Sequence, residues 1–174
     1  MLHPAFFYGE AHMKFVGMLL VLVLAVGAAL VLAGQLGFLT GQAPTDLGVH
    51  GGRLKPPSNT PNSVSSQADL YPDHAQRAYA SIAPLAFQGS GEAAMLQLTD
   101  VLKNTPLCKL LSQQADYLYA ECSTAVLHFT DDVEFWLDTK AGVIQLRSAS
   151  RLGKGDLGAN RARMEKIRAQ FTKN

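Results

Sequence analysis

Apolar and polar positions divide the chain into parts that differ in kind. An apolar run without a charged side chain begins at Phe15 and continues to Leu39. The stretch that follows is rich in Gly, Pro, Ser, Asn and Thr, and it shows almost no apolar periodicity. Beyond it, apolar residues recur with helical or strand-like spacing. The pattern therefore predicts a short N-terminal tail, a transmembrane helix or signal anchor, a flexible linker arm and a globular domain, over residues 1–14, 15–39, 40–68 and 69–174.

The apolar run has the length of a membrane span. As a helix with a rise of about 1.5 Å per residue, residues 15–34 extend roughly 30 Å, the thickness of a bilayer hydrocarbon core. A cleaved signal peptide is the alternative, but its apolar region is usually only about 7–15 residues long. Lys14 precedes the run, and the next Lys or Arg is Arg53. The positive-inside rule then predicts a single-pass protein of the cytoplasmic (inner) membrane with its C-terminal domain in the periplasm.

The apolar spacing of the C-terminal domain predicts an α+β fold. We expect a small antiparallel β-meander of three to five strands, with helices packed on one face. Helices are predicted over Ser90–Lys103, with Ser90 as the N-cap, and over Gly158–Phe171. Strands are predicted over residues 107–111, 116–122, 126–129 continuing into 133–138, and 143–151.

The register of the last hairpin follows from its side chains. One pairing places Phe135 opposite Leu146 and Glu134 opposite Arg147, so that apolar meets apolar and acid meets base. A slip of one residue would destroy both matches.

Two cysteines flank the preceding hairpin. A turn centred near Ala115 places Cys108 opposite Cys122, close enough for a disulfide. Two small buried thiols are the alternative, and the sequence leaves both open.

Net charge and the glycine pattern argue against nucleic-acid binding, a dinucleotide site and a P-loop. The chain carries 15 Lys and Arg against 14 Asp and Glu, so no nucleic-acid partner is expected. Residues 153–158 fit G-x-G-x-x-G, but the chain provides neither a following strand nor the acidic residue of a dinucleotide site. The phosphate-binding P-loop also fails, because glycine follows Lys154 where serine or threonine is needed.

The junction between the last strand and the last helix is the candidate ligand site. Arg147 and Arg151 share one face of the strand and could bind a carboxylate or phosphate bidentately. The alternative is internal neutralisation by the structural ion-pair partners Asp131, Asp132 and Glu134. The candidate ligand-binding residues are Arg147, Ser148, Ser150, Arg151, Lys154, Asp156, Asn160 and Arg161.

The same three carboxylates, with His128, suggest a competing catalytic interpretation. Paired carboxylates can divide general acid and base roles or bind a hard metal ion. Salt bridges to the nearby arginines are the favoured explanation of the cluster. Because no complete catalytic set is visible, no catalytic residue, metal or cofactor is expected.

Several segments together resemble a known family. TPNSVSSQ at 60–67, IAPL at 82–85, FTDDVEF at 129–135 and the 147–163 run are similar to the bacterial and plastid family called domain of unknown function 1499. The resemblance covers roughly residues 50–171. Family members commonly have cysteine where this chain has Ser63, often with another near Pro56, so any thiol role of that arm is absent here. The resemblance implies an exported or membrane-tethered domain and no established reaction.

These observations favour a membrane-tethered, non-enzymatic binding or interaction module outside the cytoplasm. Its expected partner is an acidic ligand, a lipid headgroup or an envelope protein. One alternative is a metal-assisted or acid/base hydrolase that uses the Asp131, Asp132 and Glu134 cluster. The other is a structural accessory subunit of a membrane complex.

Overall fold

The computed structural model describes residues 5–173, with side chains from residue 12 onward. Its first element is helix α1, Ala5–Gln35, which begins ten residues before the predicted span. Of the tail predicted over residues 1–14, residues 1–4 lie outside the described part and the remainder is helical. Helix propagation adds one hydrogen bond for each residue fixed, so a nucleated helix extends through neighbouring residues.

Helix α1 ends one turn before the predicted Leu39. Gly37 adopts the left-handed conformation at φ 81°. The backbone N–H of Phe38 donates to the carbonyl of Ala33 at 3.0 Å, and that of Gly37 donates to Gly34 at 3.0 Å. This pair of bonds is the Schellman motif, which closes a helix at a glycine.

The apolar part of α1 is long enough to cross a membrane. It runs from His12 to Gln35, 24 residues whose most apolar stretch has a mean hydropathy of 3.0, and residues 12–32 are exposed along their whole length. At 1.5 Å per residue it extends about 36 Å, slightly more than a bilayer hydrocarbon core of roughly 30 Å.

The domain is built on one antiparallel sheet of six strands, ordered β1-β6-β5-β4-β3, with β2 also paired to β6. The strands are β1 (Ser63–Ser65), β2 (Leu85–Ala86), β3 (Cys108–Gln113), β4 (Tyr117–Ser123), β5 (Thr130–Asp138) and β6 (Val143–Ser150). The helices are α2 (Arg77–Ala80), α3 (Gly91–Lys103) and α4 (Ala159–Phe171), with a 3₁₀ turn at Ala68–Leu70. The predicted α+β class is confirmed, although short β1 and β2 raise the strand count above five.

The predicted register of the β5–β6 hairpin is confirmed. Phe135 pairs with Leu146, and Glu134 pairs with Arg147. The strand predicted over 126–129 is wrong, because residues 125–127 form a turn and His128 adopts φ 53°, which ends strand geometry.

The prediction of a flexible linker over residues 40–68 is wrong for the second half of that segment. Leu54 is 2% exposed and Val64 is fully buried. Strand β1 lies within this segment and pairs with β6 through residues 147–149. The segment is ordered because its backbone groups pair with a sheet edge, which requires no apolar periodicity of its own.

Helices α3 and α4 cover one face of the sheet, as predicted. Val133 and Phe135 of β5 and Leu146 of β6 are buried against Leu98 of α3 and Ile167 of α4. Helix α3 begins as expected, because the Ser90 hydroxyl accepts a hydrogen bond from the backbone N–H of Ala93 at 3.2 Å.

The two cysteines form a disulfide across the first hairpin. Cys108 of β3 lies opposite Cys122 of β4 in the strand register, and their sulfurs are bonded. The open choice between a disulfide and two buried thiols is therefore resolved in favour of the disulfide.

Candidate functional site

The sheet face away from α3 and α4 encloses a buried ion pair. Arg147 Nη1 lies 3.4 Å from Glu134 Oε2, and the two side chains are 4% and 0% exposed. Glu134 Oε1 also accepts from the backbone N–H of Gly48 and from the Tyr117 hydroxyl, both at 2.8 Å. Arg147 Nε donates to the carbonyl of Pro56 at 3.3 Å. Burial lowers the pKa of Arg147, and the neighbouring Glu134 carboxylate opposes that shift.

Arg151 is held on the same face by acidic and phenolic groups. Its Nη2 lies 2.7 Å from Asp132 Oδ1, and its Nε lies 3.1 Å from both carboxylate oxygens. Nη2 also donates to Glu121 and to the Tyr119 hydroxyl. The hydrogen bond to Asp132, more than any other contact, raises the pKa of Arg151. Burial and the hydrogen bond to Asp132 raise the pKa of Tyr119.

A second polar network lies on the helix-covered face. Asp131 Oδ2 accepts from Arg163 of α4 at 2.6 Å. The Ser148 hydroxyl donates to Asn160 Oδ1, and Asn160 Nδ2 donates to the Ser150 hydroxyl at 2.9 Å. Both candidate serines therefore bind Asn160, which ties the last strand to α4.

Asp156 caps helix α4. Its carboxylate accepts from the backbone N–H groups of Gly158 and Asn160, both at 3.0 Å, and from the Tyr79 hydroxyl. Burial alone would raise the pKa of Asp156, but the hydrogen bonds from Tyr79 and Asn160 outweigh it and hold that pKa below its usual value.

Arg161 binds backbone carbonyls. Its Nη2 donates to Tyr79 O at 2.5 Å and to Ser81 O at 2.9 Å. Glu165, one helical turn after Arg161, pairs with Arg168 at 3.0 Å and leaves Arg161 to these carbonyls. These carbonyls lie 80 or more residues earlier in the chain, beyond the reach of a local spacing rule.

The structure separates Asp131 and His128 from the other two carboxylates proposed as a catalytic cluster. Asp131 faces α4, whereas Asp132 and Glu134 lie on the opposite side of the sheet, because alternate strand residues point to opposite faces. His128 lies outside β5, with its Nε2 3.4 Å from Gln35 Nε2. Among the described residues, no group of three or more His, Cys, Asp or Glu side chains could hold a metal ion.

An apolar groove lies beside the second network, and the sequence pattern did not predict it. Its walls are the loops over residues 124–129 and 152–157, and its volume is about 430 Å³. The lining includes Val126, Leu127, Phe129, Leu152, Leu157 and Ala159. The sequence feature that could have indicated the groove is the presence of leucines inside a glycine-rich loop.

The end of α1 contacts this groove. A methyl group added at Gly34 would lie 2.4 Å from the carbonyl oxygen of Leu127, and one added at Gly41 would lie 3.0 Å from Leu152 Cγ. Gln35 Nε2 donates to the carbonyl of Val126 at 3.4 Å. The chain that leaves the apolar helix therefore touches both walls.

These features define an α+β domain joined directly to a helix apolar enough to span a membrane. A family model described as protein of unknown function (DUF1499) matches residues 53–171, more than half of the chain. The protein therefore belongs to that family, and the resemblance drawn from its motifs is confirmed. No curated protein and no solved structure matches the chain.

Proposed function

We propose that this protein is a membrane-anchored, non-enzymatic binding module, with its domain on the periplasmic face of the inner membrane. The observation that carries the proposal is the contact between the end of α1 and the domain. Gly34 is buried against Leu127, three residues before Gly37, where the Schellman turn redirects the chain. The domain is thereby held close to the end of the span.

Two features support the periplasmic side. The Cys108–Cys122 disulfide suits an oxidising compartment, since cytoplasmic thiols are normally kept reduced. Lys14 precedes the main apolar run, and the next Lys or Arg after it is Arg53. The positive-inside rule places that order of charges with the amino terminus in the cytoplasm.

The polar contacts support binding rather than catalysis. Asp132 and Glu134 are each engaged by a buried arginine, and Asp131 is engaged by Arg163. A general acid or base must reach a substrate proton, whereas these carboxylates are already held inside the fold. The predicted acidic ligand would likewise have to displace internal partners from Arg147 and Arg151.

Lys154 is the exception within the proposed ligand-binding set. It is exposed, and it forms no ion pair within the described part of the chain. Its loop borders the groove beside the end of α1. Among the expected partners, a lipid headgroup fits this position best, because the phosphate layer lies where the span leaves the hydrocarbon core.

The test of anchoring and orientation is a set of reporter fusions to the C-terminus in a Gram-negative host. We expect alkaline phosphatase to be active, a fluorescent protein that folds only in the cytoplasm to be dark, and the intact chain to resist extraction from membranes by alkaline carbonate. Cytoplasmic reporter activity, or release of a shortened chain, would refute the anchored periplasmic module. A membrane protein that copurifies in constant stoichiometry would favour the accessory-subunit alternative.

The contact of α1 with the domain is tested by a matched pair of substitutions. Gly34→Ala places a methyl group 2.4 Å from Leu127 O, whereas at Gly27 nothing lies within 4 Å. We expect Gly34→Ala to increase proteolysis of residues 36–46 in detergent, and Gly27→Ala to leave it unchanged. Equal cleavage of both variants and the unaltered chain would show that the contact does not hold the domain.

A further inference from the structure

We infer that the groove between loops 124–129 and 152–157 holds one acyl chain of a membrane phospholipid, with Lys154 at its phosphate. This inference rests on the proposed membrane anchoring and names the ligand of that module. A volume of about 430 Å³ falls within the range of small-molecule sites, roughly 300–1,000 Å³.

The polar side chains that line the groove are already hydrogen-bonded within the protein. Asp131 binds Arg163, and the Ser150 hydroxyl accepts from Asn160. Asp156 caps α4. A hydrocarbon chain leaves no hydrogen-bonding group unpaired in such a lining, whereas a polar ligand would lose its bonds to water without replacement.

The groove opens beside the membrane span. Gly34 and Gln35, at the end of α1, contact one wall, and Gly41 contacts the other. Between these contacts Leu36 and Phe38 are exposed, at 63% and 74%. This apolar continuity from helix to groove indicates a lipid chain as the occupant.

The loop over residues 152–157 carries the features of a membrane-facing segment. Leu157 is fully exposed and adopts φ 51°, a left-handed conformation that is an outlier for a large side chain. Backbone strain of this kind persists where the surrounding structure imposes it. Lys154, three residues earlier, provides the cation for a phosphate, so one loop offers both an apolar anchor and a charge.

The experiment uses the full chain in nanodiscs of phosphatidylethanolamine and phosphatidylglycerol, with a trace of phospholipid carrying a photoactivatable diazirine in one acyl chain. After illumination, mass spectrometry of peptides measures labelling of residues 124–129 and 152–157 relative to α1. Helix α1 serves as an internal standard, because a spanning helix contacts bulk lipid. We expect both loops to be labelled.

Leu157→Asp and its matched control test the apolar contact. Leu107 is a second exposed leucine with positive φ, 63°, and it is not part of the groove lining. Leu157→Asp should lower the labelling of the loops relative to α1 about tenfold. Burial of one leucine side chain contributes roughly this factor to an affinity, and the substitution removes it. Leu107→Asp should leave the ratio unchanged, and neither substitution removes a buried side chain. In parallel, Lys154→Glu should lower the ratio, while Lys140→Glu in the exposed β5–β6 turn should not.

The outcomes separate this inference from the function on which it rests. If α1 is unlabelled, the membrane anchoring itself is wrong. If α1 is labelled and the loops are not, the lipid groove is wrong and the anchored module stands. Labelling of the loops that survives Leu157→Asp, or cross-links between the loops of two copies without a lipid adduct, would also overturn the inference.

Discussion

The buried pair of Arg147 and Glu134 makes a quantitative prediction about stability. Glu134→Gln preserves the shape of the side chain and one acceptor oxygen for Gly48 or Tyr117, but it removes the negative charge. Arg147, whose side chain is 4% exposed, is then a buried cation without its counter-ion. Removing one partner of a buried ion pair typically costs about 3–5 kcal/mol. A domain whose total stability is roughly 5–15 kcal/mol should become marginally stable.

Two further variants identify the cause of the loss. Glu165→Gln removes the exposed Glu165–Arg168 pair, for which about 0–1 kcal/mol is expected. The double variant Glu134→Gln/Arg147→Met removes both charges and keeps an acceptor. Because replacing a whole buried pair is often neutral, this double variant should recover most of the stability lost in Glu134→Gln.

Urea denaturation of the full chain in mild detergent measures these differences. The single tryptophan, Trp136, lies on β5 next to Tyr117 of β4 and reports unfolding by fluorescence. The midpoint and slope for each variant give the free energy of unfolding. The reasoning is refuted if Glu134→Gln costs no more than Glu165→Gln, or if the double variant is no more stable than the single one.

Two more predictions concern the disulfide and the helix cap. Replacing Cys108 and Cys122, which are separated by 14 positions, with serine should lower the free energy of unfolding by about 3 kcal/mol. In urea denaturation, added reductant should lower the free energy of unfolding of the original chain and leave that of the variant unchanged. The pKa of Asp156 is depressed below its ordinary value of 3.8, so its stabilising effect is present above about pH 4 and is lost as pH falls through the folded pKa. The stability difference between the chain and Asp156→Asn should therefore shrink between about pH 5 and pH 2, and a constant difference would contradict this.

The parts of the fold predicted from sequence are those determined by local or paired patterns. The β5–β6 register follows from matched apolar and charged positions, so Glu134 and Arg147 could be paired without a structure. The start of α3 follows from Ser90, whose hydroxyl satisfies a free N–H of the first turn. Both depend on residues that are neighbours in sequence or across one turn.

The parts that were missed depend on contacts made from far along the chain. Strand β1 is buried through Ser63 and Ser65, whose small polar side chains give no periodic apolar signal. Glu121 and Tyr119 complete the Arg151 site from β4, a strand whose register against β5 was not predicted. The groove was hidden because residues 125–127 form an irregular turn instead of a strand.

The polar groups are already hydrogen-bonded within the protein, and this changes where a ligand could bind. Asp131 and Ser150 line the groove, yet Arg163 and Asn160 already occupy their hydrogen-bonding atoms. An acidic ligand at the arginines would have to break buried bonds, whereas an apolar chain in the groove breaks none. The strand-to-helix junction was conspicuous in the sequence because of its charged residues. These residues therefore fix the backbone of a loop whose apolar surface and Lys154 face outward. In the arrangement that we propose, the network positions the binding surface, and the exposed loop contacts the lipid.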